Sequence, residues 1–328
     1  MPINKDAKLI KDLKKAEQIP PRNGFGDALL ELGKTDPKVV ALCGDLVEST
    51  RVEKFAKAFP SRFFEMGVAE QNMAGVAAGL ALEGFTAFAS SYATFNPGRN
   101  WDQIRVSVCY NRANVKIVGA HAGISVGPDG ATHQALEDIA STRCLPNLTV
   151  EVPCDYWECY KTTVALAAMK GPAYFRFGRA ETPIFTTKTS PFKIGRIETL
   201  RDGNDLTIIG AGPILYDALL AAEELKKEKG WEIRVLNCHT IKPIDQKMII
   251  KAAKETGGFV TVEEHQTMGG VGSAIMEVLA QNFPIPVEMI GMPNSFGESG
   301  EPKELLNKYG MSVAAIKAKV LQLKKRMS

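Results

Sequence analysis

Two histidines and an aspartate share one glycine-rich stretch, AHAGISVGPDGATHQALED (120–138), which holds His121, Asp129 and His133. With only four histidines in the chain, half of them fall in this stretch. Imidazoles can take or give protons near neutral pH, and a carboxylate beside them can accept from hydroxyls. One such histidine alone reads as a packing residue; two with an aspartate on a loop read as catalytic or ligand-binding. A second centre is GVAEQNMAGVAAGLALEG (67–84), where Glu70 opens a helical pattern built of alanine and glycine. A carboxylate there is favoured by the helix dipole, and its small, apolar surroundings suit a buried, deliberately placed acid. In FTAFASSYATF (85–95) a strand runs into an aromatic loop. Tyr92 and Phe95 either cover the core or stack on a flat heteroaromatic ring. Arg22 and Arg179, in FRFGRAETP (175–183), are surface charges or forks for a phosphate, and spacing alone leaves both open.

Two other patterns are set aside. GGVGSA (269–274) enters a helix as phosphate-cradling turns do, but no acidic residue follows on a strand some 20 residues later to grip a ribose. A close strand-to-helix turn is preferred there. The cysteines at 43, 109, 144, 154, 159 and 238 form no CxxC pair, and no histidine stands at metal-site spacing from them. They read as reduced structural thiols.

The elements that must position these residues follow a βα rhythm. Strands are expected at 39–43, 86–89, 115–120, 148–152 and 173–176, with helices around 24–33, 52–58, 69–82, 100–111, 136–143 and 156–169. A second, shorter series follows, with strands at 205–210, 232–236, 258–263 and 286–290 and helices at 214–229, 245–255, 271–281 and 312–325. This pattern predicts an α/β protein with two domains, each based on a mainly parallel sheet. A length of 328 residues agrees with that number. The boundary is placed in ETPIFTTKTSPFKIGR (181–196), which lacks helical period, dividing the chain into a charged extension (1–19) and domains over 20–185 and 186–328.

The chain is 45% hydrophobic and 23% charged, which excludes wholesale disorder. Its net charge of +3 resides in its ends: residues 1–19 carry five lysines against three acids, and 314–328 carry five basic residues and no acid. The remainder is acidic, so nucleic acid is not an expected partner and solvated helical tails are the preferred reading of the ends. Residues 1–19 fit a basic lid, a partner-binding arm or a solvated tail. No apolar run of 18 or more residues exists, and the first residues have no signal-peptide core. No membrane association is expected, and the cytoplasm is the expected compartment.

Together, AEQNM, the SSYATF–DQIR stretch and HAGISVGPDGATHQ, in this order, resemble the C-terminal half of transketolase, its pyrimidine-binding domain followed by its C-terminal domain. The resemblance extends over nearly the whole chain from about residue 20. It implies thiamine diphosphate as cofactor, with Glu70 hydrogen-bonded to N1′ of the aminopyrimidine, where a shared proton favours the imino tautomer that takes the thiazolium C2 proton. It also implies that Tyr92 and Phe95 stack around the pyrimidine and that Asp45, in CGDLVEST (43–50), lines the cofactor site. Arg22, Ser49 and Arg179 match residues that bind substrate phosphate. His133 matches a histidine that shuttles protons with sugar hydroxyls, His121 one near the donor's reacting carbons, and Asp129 an aspartate that recognises the hydroxyl beside the acceptor aldehyde.

Two departures stand out. The loop YATFNPGRNWDQIR is slightly longer than the family's, and no GDG motif exists to hold a metal and diphosphate. The expectation is therefore one subunit of a split transketolase. Its Mg2+ ligands would lie on a separate diphosphate-binding subunit, in an α2β2 assembly whose pyrimidine-binding domains pair with each other. Sugar phosphates are the expected substrates, in the pentose phosphate pathway or a dedicated catabolic route. The alternatives are the β subunit of a 2-oxo acid dehydrogenase, which lacks the 121–133 pattern; deoxyxylulose-phosphate synthase, which keeps both halves in one chain; and a non-catalytic subunit of the same fold, which has no use for these side chains.

Overall fold

The computed structural model describes residues 3–327. The apolar run Val39–Cys43 becomes a fully buried parallel strand, as does Val115–Ala120, whose one charged residue, Lys116, is buried and donates to the Met169 and Gly171 carbonyls. Among the described residues, the first sheet has seven strands in the order Thr240–Lys242, Thr149–Glu151, Ala173–Phe177, Val115–Ala120, Thr86–Tyr92, Val39–Cys43 and Phe63–Glu65. All neighbours pair in parallel except the first two, which are antiparallel. The second sheet has five, ordered Val287–Met292, Phe259–Gln266, Leu206–Gly210, Ile233–Asn237 and Glu198–Arg201, with only the last antiparallel.

Chain reversal around Val39–Cys43 makes the first sheet a switch-point sheet. The loops after Cys43, Tyr92, Ala120 and Phe177 all leave from its carboxyl edge, where open α/β sheets gather ligands. Gly119 lets two of these strands close up, because a Cβ there would lie 2.3 Å from the Tyr174 hydroxyl. That hydroxyl donates to Asp138 Oδ2 at 2.6 Å, and Arg176 Nε meets the same oxygen at 3.2 Å. Arg176 Nη2 also donates to the Glu264 carbonyl of the second sheet, so one buried guanidinium ties the two halves beside the loop that bears Arg179.

Several expectations change. The strand Thr240–Lys242, not anticipated, leaves the second half of the chain and pairs with Thr149–Glu151 of the first sheet. The helix expected over 100–111 is a single α-turn, Trp101–Gln103, followed by a π-helix, Ile104–Tyr110. The N-terminal extension is not a solvated tail over its described residues. Asn4 N donates to the Leu200 carbonyl, Ile10 N to the Phe185 carbonyl, and Gln18–Ile19 pairs with Thr182–Pro183. Leu13 is buried against the second domain, a contribution of about 1.5–3 kcal/mol that outweighs the exposed lysines around it. At the other end the charged helix Val313–Met327 docks through Ile316, Val320 and Leu323 as expected. GGVGSA is a structural turn: the buried Glu263 carboxylate accepts from Val271 N at 2.7 Å and Gly272 N at 2.9 Å, occupying the donors a phosphate would need. The six cysteines are free thiols, all buried but Cys144. No helix among the described residues is long and apolar enough to cross a membrane.

Candidate active site

Glu70 is the first residue of the helix Glu70–Leu82 and is 1% exposed. Its Oε1 accepts from Ser91 Oγ at 2.9 Å, and Asn100 Nδ2 donates to its carbonyl. Asp45 is exposed and in the left-handed region, φ 61°; it follows Gly44, whose Cβ position lies 3.6 Å from Glu70 Oε1. The Asp45 amide donates to Glu65 rather than toward a ligand.

Beside the carboxylate, the Tyr92 and Phe95 rings stack at 6.3 Å. His133 meets both edge-on, at 5.9 Å from Tyr92 and 5.6 Å from Phe95, and its Nδ1 lies 2.8 Å from Thr132 Oγ1. His121 packs on the other side of Tyr92 at 4.1 Å, and its Nε2 lies 3.3 Å from Arg22 Nη1. Burial and the positive charges of Arg22, Arg179 and Arg51 push His121 down to about 3. It is therefore neutral at physiological pH, and Nε2 accepts from Arg22. Ser49 joins through its backbone, its carbonyl accepting from the same Nη1 at 3.0 Å. Arg22 and Arg179 line one cleft of about 320 Å³ with Ser125 and Pro302. Asp129 stands at its side, 3.7 Å from Arg179 Nη1. Contacts thus run from the aromatic pair through His121 to Arg22 and the cleft it shares with Arg179.

Two arginines escape sequence reasoning. Arg99 Nη1 pairs with Glu70 Oε2 at 2.6 Å, and its guanidinium lies 4.7 Å above the Phe95 ring. Arg51, also left-handed at φ 65°, borders the cleft and donates from Nε to Asn23 Oδ1. Each meets a partner nearly 30 residues away, which no local spacing reveals. The length of the loop around Arg99 is the only signal.

A mainly parallel sheet thus carries a buried helix-start glutamate, an aromatic pair and an arginine cleft along one edge. Residues 17–184 match the model of the transketolase pyrimidine-binding domain and residues 195–316 that of the transketolase C-terminal domain, and the chain belongs to the transketolase family. It is 46% identical over 308 residues to a putative transketolase C-terminal section of Methanocaldococcus jannaschii, covering 93% of this chain and 96% of that protein. It is 40% identical to one subunit of an apulose-4-phosphate transketolase of Phocaeicola vulgatus, covering 93% and 97%. A split-gene transketolase, solved as an inactive β4 tetramer, superposes with a TM-score of 0.87 at 44% identity, covering 93% of this chain and 98% of that one.

Proposed function

We infer that this chain is the pyrimidine-binding subunit of a split transketolase that moves a two-carbon ketol unit from a ketose phosphate to an aldose phosphate. The observation that carries the reading is the line of contacts from buried Glu70 through Arg99 to Phe95 and Tyr92, with His133 against both rings, and on through His121 to Arg22 and the cleft it shares with Arg179. The residues fit thiamine diphosphate: a buried carboxylate able to hold a proton at a ring nitrogen stands beside two aromatic rings. When bound, that cofactor supplies the nucleophilic carbon and electron sink for ketol transfer. Glu70 would hold the proton at N1′, its carboxylate fixed by Ser91 Oγ and Arg99 Nη1. Tyr92 and Phe95 flank the ring, with Asp45 at the rim. His133 exchanges protons with sugar hydroxyls. Neutral His121, packed on Tyr92 and accepting from Arg22, stands near the donor's reacting carbons, Asp129 reads the acceptor hydroxyl, and Arg22, Ser49 and Arg179 hold the phosphate.

Diphosphate and Mg2+ are assigned to an N-terminal partner subunit in an α2β2 assembly acting in the cytoplasm. Pairing of two copies of this chain is supported by one face of the helix Glu70–Leu82. Gln71, Asn72, Gly75, Gly79 and Leu82 are exposed there, and Val106 and Tyr110 stand exposed on the adjoining π-helix. A Cβ at Gly79 meets nothing within 4 Å, so Gly79→Trp is expected to leave the protomer folded and to weaken self-association at least tenfold in sedimentation velocity. Unchanged association would move the interface elsewhere.

The reading is tested by ketol transfer from xylulose 5-phosphate to ribose 5-phosphate with thiamine diphosphate and Mg2+. The isolated chain is expected to be silent, and the native complex pulled from its own cells through a tag to turn over. Full activity of the chain alone would refute the split assembly. Release of carbon dioxide from pyruvate by the complex would favour the 2-oxo acid alternative.

A further inference from the structure

Arg22, Arg51 and Arg179 border the same 320 Å³ cleft, yet among the described residues no carboxylate pairs with Arg22 or Arg51. Arg22 spends Nη1 on the Ser49 carbonyl and His121, and its buried Nε has no partner. Arg51 spends Nε on Asn23. The charges are close enough that Arg51 and Arg179 both depress Arg22, after burial itself, while Glu53 offsets them only weakly. The carboxylates at hand are Asp27, Glu53, Glu181 and Asp129; Asp27 is held by Lys54 and Tyr156, and Asp129 is only loosely paired with Arg179, whose Nη1 donates to the Val126 carbonyl. Three guanidinium groups left facing one cleft with free Nη donors form a site for an anion with several oxygens and more than one charge.

We propose that Arg51 is a third arginine of this anion cleft and sets its preference for a doubly ionised phosphate terminus over a singly charged or neutral one. The proposal rests on the reading of the cleft as the substrate's phosphate site. A phosphate ester carries close to two charges at neutral pH and three acceptor oxygens, enough to offset mutual repulsion among the forks. A sulfonate of the same shape carries one charge, and a free sugar none. Arg51 therefore contributes most where the ligand charge is greatest.

The test compares wild-type complex with Arg51→Met, which keeps the side-chain stem, and Arg51→Lys, which keeps the charge without the fork. Ribose 5-phosphate and ribose serve as acceptors and inorganic phosphate as inhibitor. The expected result for Arg51→Met is a KM for ribose 5-phosphate raised roughly tenfold or more, kcat within about twofold, and no change for ribose. The inhibition constant of inorganic phosphate rises in parallel, and Arg51→Lys falls between. An unchanged KM for ribose 5-phosphate would overturn the proposal, as would equal losses on both acceptors or a fall in melting temperature, which mark a structural role through Asn23. If Arg51→Met does not assemble, Arg51→Lys decides alone: it must raise the KM for ribose 5-phosphate and not that for ribose. A wild-type complex indifferent to phosphorylation would overturn the phosphate-site reading itself, a result separable from failure of Arg51 alone.

Discussion

Glu70→Gln in the assembled complex is expected to cut turnover by roughly 10²–10⁴-fold, the range of a lost acid–base group, while leaving assembly and melting temperature unchanged. The separation arises because glutamine keeps the volume and can still accept from Ser91 Oγ at Oε1. What it loses is the ability to hold or release a proton at the end that Arg99 now grips. The variant removes the buried charge itself, and Arg99, 43% exposed, can turn to water, so no buried charge is left unpaired and the stability cost is small. Equal turnover of the variant and the wild type would remove Glu70 from the chemistry. It would favour a non-catalytic subunit that merely kept the fold.

The largest stability effect is expected at Arg176, which lies outside the chemistry. Arg176 is 4% exposed and Asp138 3%, and Tyr174 shares the same carboxylate oxygen. Arg176→Met would leave Asp138 buried without its counterion and the Glu264 carbonyl without its donor. Breaking such a pair costs about 3–5 kcal/mol. Spread over 328 residues, a fall in melting temperature of roughly 4–7 °C follows. Scanning calorimetry of the isolated chain measures it directly. A shift below a degree would mean that Tyr174 alone satisfies Asp138. Because the strand that carries Arg176 leads straight into the loop that bears Arg179, the variant complex is also expected to bind phosphorylated sugars less tightly.

How far such features can be read beforehand depends on whether the signal is local. Strands 39–43 and 115–120 are legible to the residue, since five apolar residues in the first and IVGA after Lys116 in the second leave a contiguous mark. Phe63–Glu65, Glu198–Arg201 and Thr240–Lys242 are edge strands of three or four residues, too short for periodicity to register. The packed N-terminal segment is obscured by its lysines: Ile3, Leu9, Ile10 and Leu13 dock through irregular turns and not along one helical face. In the candidate site, Glu70, Tyr92 and His121 are legible because each sits at the end of a recognisable element, and Phe95 and His133 because each lies in a turn just beyond one. Arg51 and Arg99 are not, because an arginine's role depends on what it reaches across space. The backbone role of Ser49 is equally invisible, since a carbonyl carries no residue type.

The strand Thr240–Lys242 makes the boundary near residue 185 a change of connectivity and not a place to cut. It covers Thr149–Glu151, which would otherwise be a bare sheet edge, and Lys242 adds bonds from its ammonium to the Arg143 and Leu145 carbonyls. A fragment ending at 185 would expose that edge together with the apolar underside of Leu145 and Leu148. Exposed edges recruit other strands, so the fragment would tend toward insoluble association. The second half acts toward the first as a resident chaperone, closing in every molecule a seam that the pyrimidine-binding sheet cannot close for itself.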